Sequence, residues 1–276
     1  MRKYIRPIIL VALCLLAGAG TALAENIVIK GSTTVLPIAQ AALEAYMKVN
    51  PGAKISLSGG GSGEGIKALV DGSTNIATSS REIKGNEVEL AKTKGINPTA
   101  SVVAIDAIVP IVNPKNRVKD LTIDQLSQIY QGKITNWKEV GGENLEIVVI
   151  SRDSSSGTFE SWSELVLNKA KVTPRAQMQA SNGAIVQAVS KNRYALGYIG
   201  LGYIDKTVNG LTVNGVQASA KTAIAKTYPI ARPLYMYTNG APKGETAKFI
   251  AFVLGSEGQK IVAKEGFVPV PGSTKK

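Results

Sequence analysis

The segment NIVIKGSTTVLPIAQAALEAYM, from Asn26 to Met47, carries the pattern on which the fold reading rests. NIVIK has the β-branched content of a strand. Gly31-Ser32-Thr33-Thr34 breaks it, and Leu36, Ala39, Leu43, Tyr46 and Met47 then recur at the spacing of one helical face, until Asn50-Pro51-Gly52 stops the helix. The same rhythm follows at once: a strand over Lys54–Ser58, a glycine-rich turn, a short helix marked by Ile66, Leu69 and Val70, and a strand over Asn75–Thr78. Strand, polar loop and helix in alternation predict an α/β protein with a largely parallel sheet.

A second set follows further on. Its helices are expected around Ile123–Tyr130, after Ser156 and after Asn182, and its strands at Leu145–Ile150 and Tyr194–Ile199. Two longer apolar runs, SVVAIDAIVPIV (Ser101–Val112) and YPIARPLYMY (Tyr228–Tyr237), read as extended crossovers between the two sets, and helices over Gly244–Gly255 and Ser256–Lys264 close the chain. The reading is two α/β lobes joined by two extended crossover strands: 25–107 with 229–276 in one lobe, 108–228 in the other. Such an arrangement holds a ligand between its lobes.

Ahead of this lies a leader. Arg2, Lys3 and Arg6 precede a short apolar run from Ile8 to Leu16, and Ala22-Leu23-Ala24 is a small-x-small cleavage pattern. Residues 1–24 therefore read as a signal peptide, cleaved near Ala24, and a periplasmic location is expected. Cys14, the only cysteine, falls inside it, so the mature chain has no disulfide to rely on and must be held by burial. Removing three basic residues from 32 leaves 29 against 20 acidic ones, a net charge of +9. Aromatic residues make up only 5% of the chain, too few for a nucleic-acid platform, and no nucleic-acid partner is expected.

The chain has no histidine. Ser-His-Asp catalysis loses its base, and zinc loses its commonest ligand. No metal and no cofactor is expected.

Four loops share one grammar, small polar or glycine residues at a helix start: Gly31–Thr34, Gly59–Gly65 (GGGSGEG), Ser154–Thr158 (SSSGT) and Ser181–Gly183. A helix N-terminus leaves backbone N–H groups unpaired and carries partial positive charge, which suits an anion, and serine and threonine add hydroxyl donors. For any one of them alone, ordinary helix capping is the better reading. Micromolar binding needs roughly 8 kcal/mol, and hydrogen bonds to a charged group contribute about 1.5–3 kcal/mol each before association costs. Several loops must therefore converge, with Arg152 as a guanidinium for a tetrahedral oxyanion. The other reading of Arg152 is a surface ion pair with Asp153. GGGSGEGIK resembles a phosphate-binding P-loop but lacks its Gly-Lys-Ser/Thr ending, and the triple serine lacks a Gly-x-Ser-x-Gly elbow and a base.

Taken in order, GSTTVLPIAQ, SGGGSGEGIKAL, NIATSSREI, LSQIYQGKITNWKEVGG, SRDSSSGTFESW, SNGAIVQAV and ALGYIG resemble the substrate-binding proteins of bacterial phosphate ABC transporters, which have a type II periplasmic-binding-protein fold. The resemblance covers essentially the whole mature chain. It implies a non-enzymatic, monomeric binding protein for inorganic phosphate that delivers its ligand to membrane permease subunits. Carried over motif by motif, it implies ligand contacts from Thr33, Thr34 and the Val35 amide, from Ser62 and Gly63, from Ser80 and Arg81, from Arg152, Ser156, Gly157 and Thr158, and from Asn182. Tyr130, Ile134 and Trp137 are expected to pack. One position departs from the family: Ser80 stands where an aspartate accepts the proton of hydrogen phosphate and repels sulfate. Asp106, an acid in the first crossover, is either a substitute acceptor or a hinge residue. The alternatives are another tetrahedral oxyanion (tungstate, molybdate or sulfate) and a phosphate-sensing interaction protein; a secreted phosphatase or esterase comes last.

Overall fold

A computed structural model describes residues 26–272, so the expected leader lies outside the described residues. In chain order the first half runs β1 (Asn26–Gly31), α1 (Leu36–Val49), β2 (Lys54–Gly59), α2 (Ser62–Val70), β3 (Ile76–Ser79), α3 (Gly85–Thr93) and β4 (Pro98–Val112). There follow β5 (Asp120–Leu121), α4 (Ile123–Tyr130), β6 (Val148–Arg152), α5 (Gly157–Leu165), β7 (Gln177–Gln179), α6 (Asn182–Lys191) and β8 (Ala195–Gly200). The chain ends with β9 (Asn209–Gly210), β10 (Thr212–Val213), α7 (Ala220–Ile224), β11 (Ala231–Asn239), α8 (Gly244–Leu254) and α9 (Ser256–Lys264).

β1 pairs in parallel with β2 and β3, and β6 pairs in parallel with β7 and β8, so each set builds its own parallel core. The two long antiparallel strands join them, giving the order β2-β1-β3-β11-β4-β8-β6-β7. Strand β4 does the crossing. Its first ten residues pair with β11, and from Ile108 onward it pairs with β8 instead. Its β-branched apolar run suits this, because a strand covered on both faces has no polar side.

Each half buries its own core. One gathers Ile27, Ile29, Ile38, Ile76, Leu234 and Phe249, the other Ile108, Leu126, Tyr130, Trp162, Leu196 and Tyr198. Burying such side chains contributes about 1.5–3 kcal/mol each, which holds the described fold without any disulfide. Tyr130 and Trp137 are fully and almost fully buried, as expected of packing residues, and Ile134 is packed against the same core.

The loops of interest leave the carboxyl ends of β1, β2, β6 and β7. Gly31 ends β1 at φ +136°, and a Cβ there would lie 2.2 Å from the Thr78 carbonyl oxygen, so only glycine permits this turn. The turn points Ser32–Val35 toward the other half of the molecule.

Candidate functional site

Where β4 passes between the two halves, the heads of α1, α2, α5 and α6 meet in a buried polar cluster. Thr33, Thr34, Ser62, Ser80, Arg152, Ser156, Thr158 and Asn182 are all less than a tenth exposed. The first half supplies Thr33 and Thr34, and the second meets them. Arg152 Nη2 donates to Thr33 Oγ1 at 3.3 Å, and Asn182 Nδ2 donates to Thr33 Oγ1 at 3.2 Å and to Thr34 Oγ1 at 3.1 Å. Thr34 and Thr158 share a hydrogen bond of 2.9 Å between their hydroxyls.

Local chemistry fixes these loops. Ser32 Oγ accepts from the amides of Thr34 (3.1 Å) and Val35 (3.4 Å), and the Tyr203 hydroxyl donates to the Thr33 carbonyl. Ser156 caps α5 by accepting from the Phe159 amide at 3.2 Å, and Ser181 caps α6 by accepting from Ala184 at 3.1 Å. Capping and ligand donation are compatible, since a hydroxyl that accepts from a backbone N–H still has its own proton to give. Ser62 Oγ accepts from the Ser80 amide at 3.0 Å and lies 3.3 Å from Ser80 Oγ. The serine pair faces the head of α5: a Cβ on Gly157 would come within 2.3 Å of Ser62 Oγ.

Arg152 is 1% exposed, which excludes the surface ion pair. Its Nε donates to the Gln179 carbonyl and its Nη2 to the Ala180 carbonyl, each at 3.0 Å, while the Asp153 carboxylate instead accepts from the amide and hydroxyl of Ser155. Arg152 Nη1 is buried with no hydrogen-bond partner among the described residues. Burial pushes the Arg152 pKa down, with nearby Asp153 opposing this. A guanidinium stays protonated at any ordinary pH. A buried cation with a free donor, no carboxylate hydrogen-bonded to it and hydroxyls all round has the chemistry of an anion site.

Two of the expected residues direct their polar groups elsewhere. The Gly63 amide donates to the Ser155 carbonyl at 3.0 Å, which ties the two halves together. The Arg81 guanidinium grips both carboxylate oxygens of Glu87 on α3 (2.8 and 2.7 Å), and its Nε lies 2.7 Å from Glu160 on α5. Lys84 reaches the same Glu160 carboxylate at 2.8 Å. Arg81 therefore bridges the lobes beside the cluster.

Arg232 is the residue that sequence reasoning left out. It lies on β11 opposite Asp106 of β4 and is 5% exposed. Its Nε (3.2 Å) and Nη2 (2.9 Å) donate to Asp106 Oδ2, Nη1 donates to the Gly157 carbonyl at 3.2 Å, and Nη2 also donates to Thr158 Oγ1 at 2.9 Å. Asp106 Oδ1 accepts from the Leu201 amide at 2.9 Å. The carboxylate thus stands behind Arg232, at the point where the crossover strands pair. Burial pushes its pKa up, with Arg232 pulling the other way. The available signal was one charge of each sign in two otherwise apolar crossover runs.

Two lobes closing over a buried, donor-rich cluster define a solute-binding protein. Residues 17–257 match the family model described as PBP superfamily domain. The phosphate-binding protein PstS of Borreliella burgdorferi is 36% identical, over 98% of this chain and 99% of the relative. A Clostridium perfringens protein solved with bound phosphate is 39% identical, with a TM-score of 0.84 over 89% of this chain and 100% of that one. An ABC-type phosphate transport receptor from Vibrio cholerae is 31% identical, with a TM-score of 0.74 over 88% and 100%. The chain belongs to the PBP superfamily and, within it, to the family of the PstS phosphate-binding proteins.

Proposed function

We propose that this protein is an exported binding protein for inorganic phosphate, holding the anion between its lobes and delivering it to permease subunits of an ABC transporter. The observation that carries the reading is Arg152, buried with an unused Nη1 among hydroxyls drawn from both lobes. On this reading the lobes comprise 25–107 with 229–276, and 108–228. The ligand is held by Thr33, Thr34, Ser62, Ser80, Arg152, Ser156, Gly157, Thr158 and Asn182, with the backbone at Val35.

The chemistry is binding without turnover. No histidine is present to activate a serine, and the hydroxyls are engaged in caps and mutual hydrogen bonds. Closure follows from the division of donors, because only the closed form brings both sets to the anion. No helix among the described residues is long and apolar enough to cross a membrane. Export rests on the leader expected in residues 1–24.

Calorimetric titration of phosphate-stripped protein with phosphate, sulfate, molybdate and tungstate tests this. Micromolar or tighter binding of phosphate, about 8 kcal/mol or more, is expected. No heat with phosphate below millimolar concentration, or tighter binding of another of these oxyanions, would sink the assignment. The serine pair in place of a carboxylate predicts measurable sulfate binding, since a hydroxyl can turn to donate where a carboxylate can only repel.

A further inference from the structure

Helix α5 carries more than the residues at its head. Glu160, in its first turn, sends its carboxylate across to the segment between β3 and α3, in the other half of the molecule. There Arg81 Nε lies 2.7 Å from Glu160 Oε2, without the alignment of a hydrogen bond, and Lys84 Nζ lies 2.8 Å from the same oxygen.

The receiving side is tied together by its own contacts. Arg81 donates to both Glu87 carboxylate oxygens and, at 2.8 Å, to the Glu82 carbonyl, and Glu87 Oε2 also accepts from the Lys84 amide at 2.9 Å. The Glu82 carboxylate accepts from the Tyr235 hydroxyl at 3.1 Å instead of joining this group. Arg81 and Lys84 against Glu87 leave one positive charge over, and Glu160 supplies its counterpart from the opposite half. Because Glu87 fixes Arg81 in advance, little ordering is left to oppose that contact.

Burial decides that the pairing matters. An ion pair in open solvent contributes little, because water and salt screen it. The Arg81 and Glu160 side chains are only 7% and 14% exposed, so their pairing is largely shielded while the halves touch. The neighbouring contacts that cross beside it are neutral: the Gly63 amide donates to the Ser155 carbonyl, the Ser155 hydroxyl to the Gly60 carbonyl and the Ser161 hydroxyl to the Ser80 carbonyl.

We propose that Glu160 is a latch for the closed state, a positioning residue and not a ligand donor, whose pairing with Arg81 and Lys84 forms as the lobes meet and slows release of the anion held between them. This inference rests on the phosphate reading above. A contact made only in the closed form favours that form by its own free energy. Its loss shows in dissociation more than in association.

The test follows release of radiolabelled inorganic phosphate from the full mature chain into an excess of unlabelled phosphate, with the association rate measured beside it. Glu160→Gln is expected to release about tenfold faster, with association changed less than about twofold. Lys84→Met, at a side chain that is 48% exposed and lies outside α5, is expected to release faster by about threefold and to add little once Glu160→Gln is present. That non-additivity separates a latch from any effect of Glu160 on α5 alone. Raising the salt concentration is expected to speed release from wild type and to move Glu160→Gln less. Unchanged release from Glu160→Gln would overturn the inference, as would a Lys84→Met effect that adds in full to that of Glu160→Gln. Wild type that holds no phosphate would overturn the phosphate reading itself, and the latch with it.

Discussion

Replacing Arg152 with alanine weakens phosphate binding by roughly 2–5 kcal/mol, a loss of about thirtyfold to several thousandfold. The reason lies in what Arg152 does before any ligand arrives. Three hydrogen bonds to the Gln179 and Ala180 carbonyls and to Thr33 hold its guanidinium in place, so the donor at Nη1 is presented with little ordering left to do. No carboxylate is hydrogen-bonded to it, so an incoming anion meets an available charge. Lysine is a poor substitute, because a single ammonium cannot hold both carbonyls and still face the ligand. The same substitution strands the Gln179 and Ala180 carbonyls, so a lower urea midpoint of the ligand-free protein is expected beside the loss of affinity. Calorimetry and urea unfolding together separate the two effects, and unchanged affinity would show that Arg152 serves only to tie loops.

Asp106→Ala has the second large effect, on stability. Asp106 is completely buried, and its carboxylate is the only one bound to Arg232 among the described residues. Removing it strands a guanidinium between the crossover strands, at an expected cost of about 3–5 kcal/mol, read as a lower urea midpoint with unchanged m-value. Asp106→Asn/Arg232→Met is expected to regain most of that loss, because the penalty belongs to the unpaired charge. A double variant as unstable as the single would mean that Asp106 stabilises chiefly through the Leu201 amide.

The parts of the site that were legible in the sequence are those whose chemistry is local. Gly31–Thr34, Ser154–Thr158 and Ser181–Gly183 each announce a helix start within four or five residues, and the structure brings all three together. Arg232 was hidden because its meaning depends on register: only the pairing of β11 with β4 sets it opposite Asp106. Arg81 enters the expected site only by its place beside Ser80 in the motif, and nothing in the sequence points to its partner Glu87, because α3 has no apolar stripe. Within that helix only Ala91 is buried. Strand β6 begins at Val148, later than expected, because Glu146 is held in an isolated bridge to Asn136. The two crossovers were visible as long apolar runs, but not that a single strand changes partners along its length. That follows from sheet topology, which local periodicity does not carry.

Lobe closure on phosphate is open to small-angle X-ray scattering of the phosphate-stripped mature chain, before and after phosphate is added. A smaller radius of gyration is expected with phosphate, and no change when phosphate is added to Arg152→Ala at a concentration that saturates wild type. Scattering curves that coincide with and without phosphate, in protein shown to have been stripped, would contradict it.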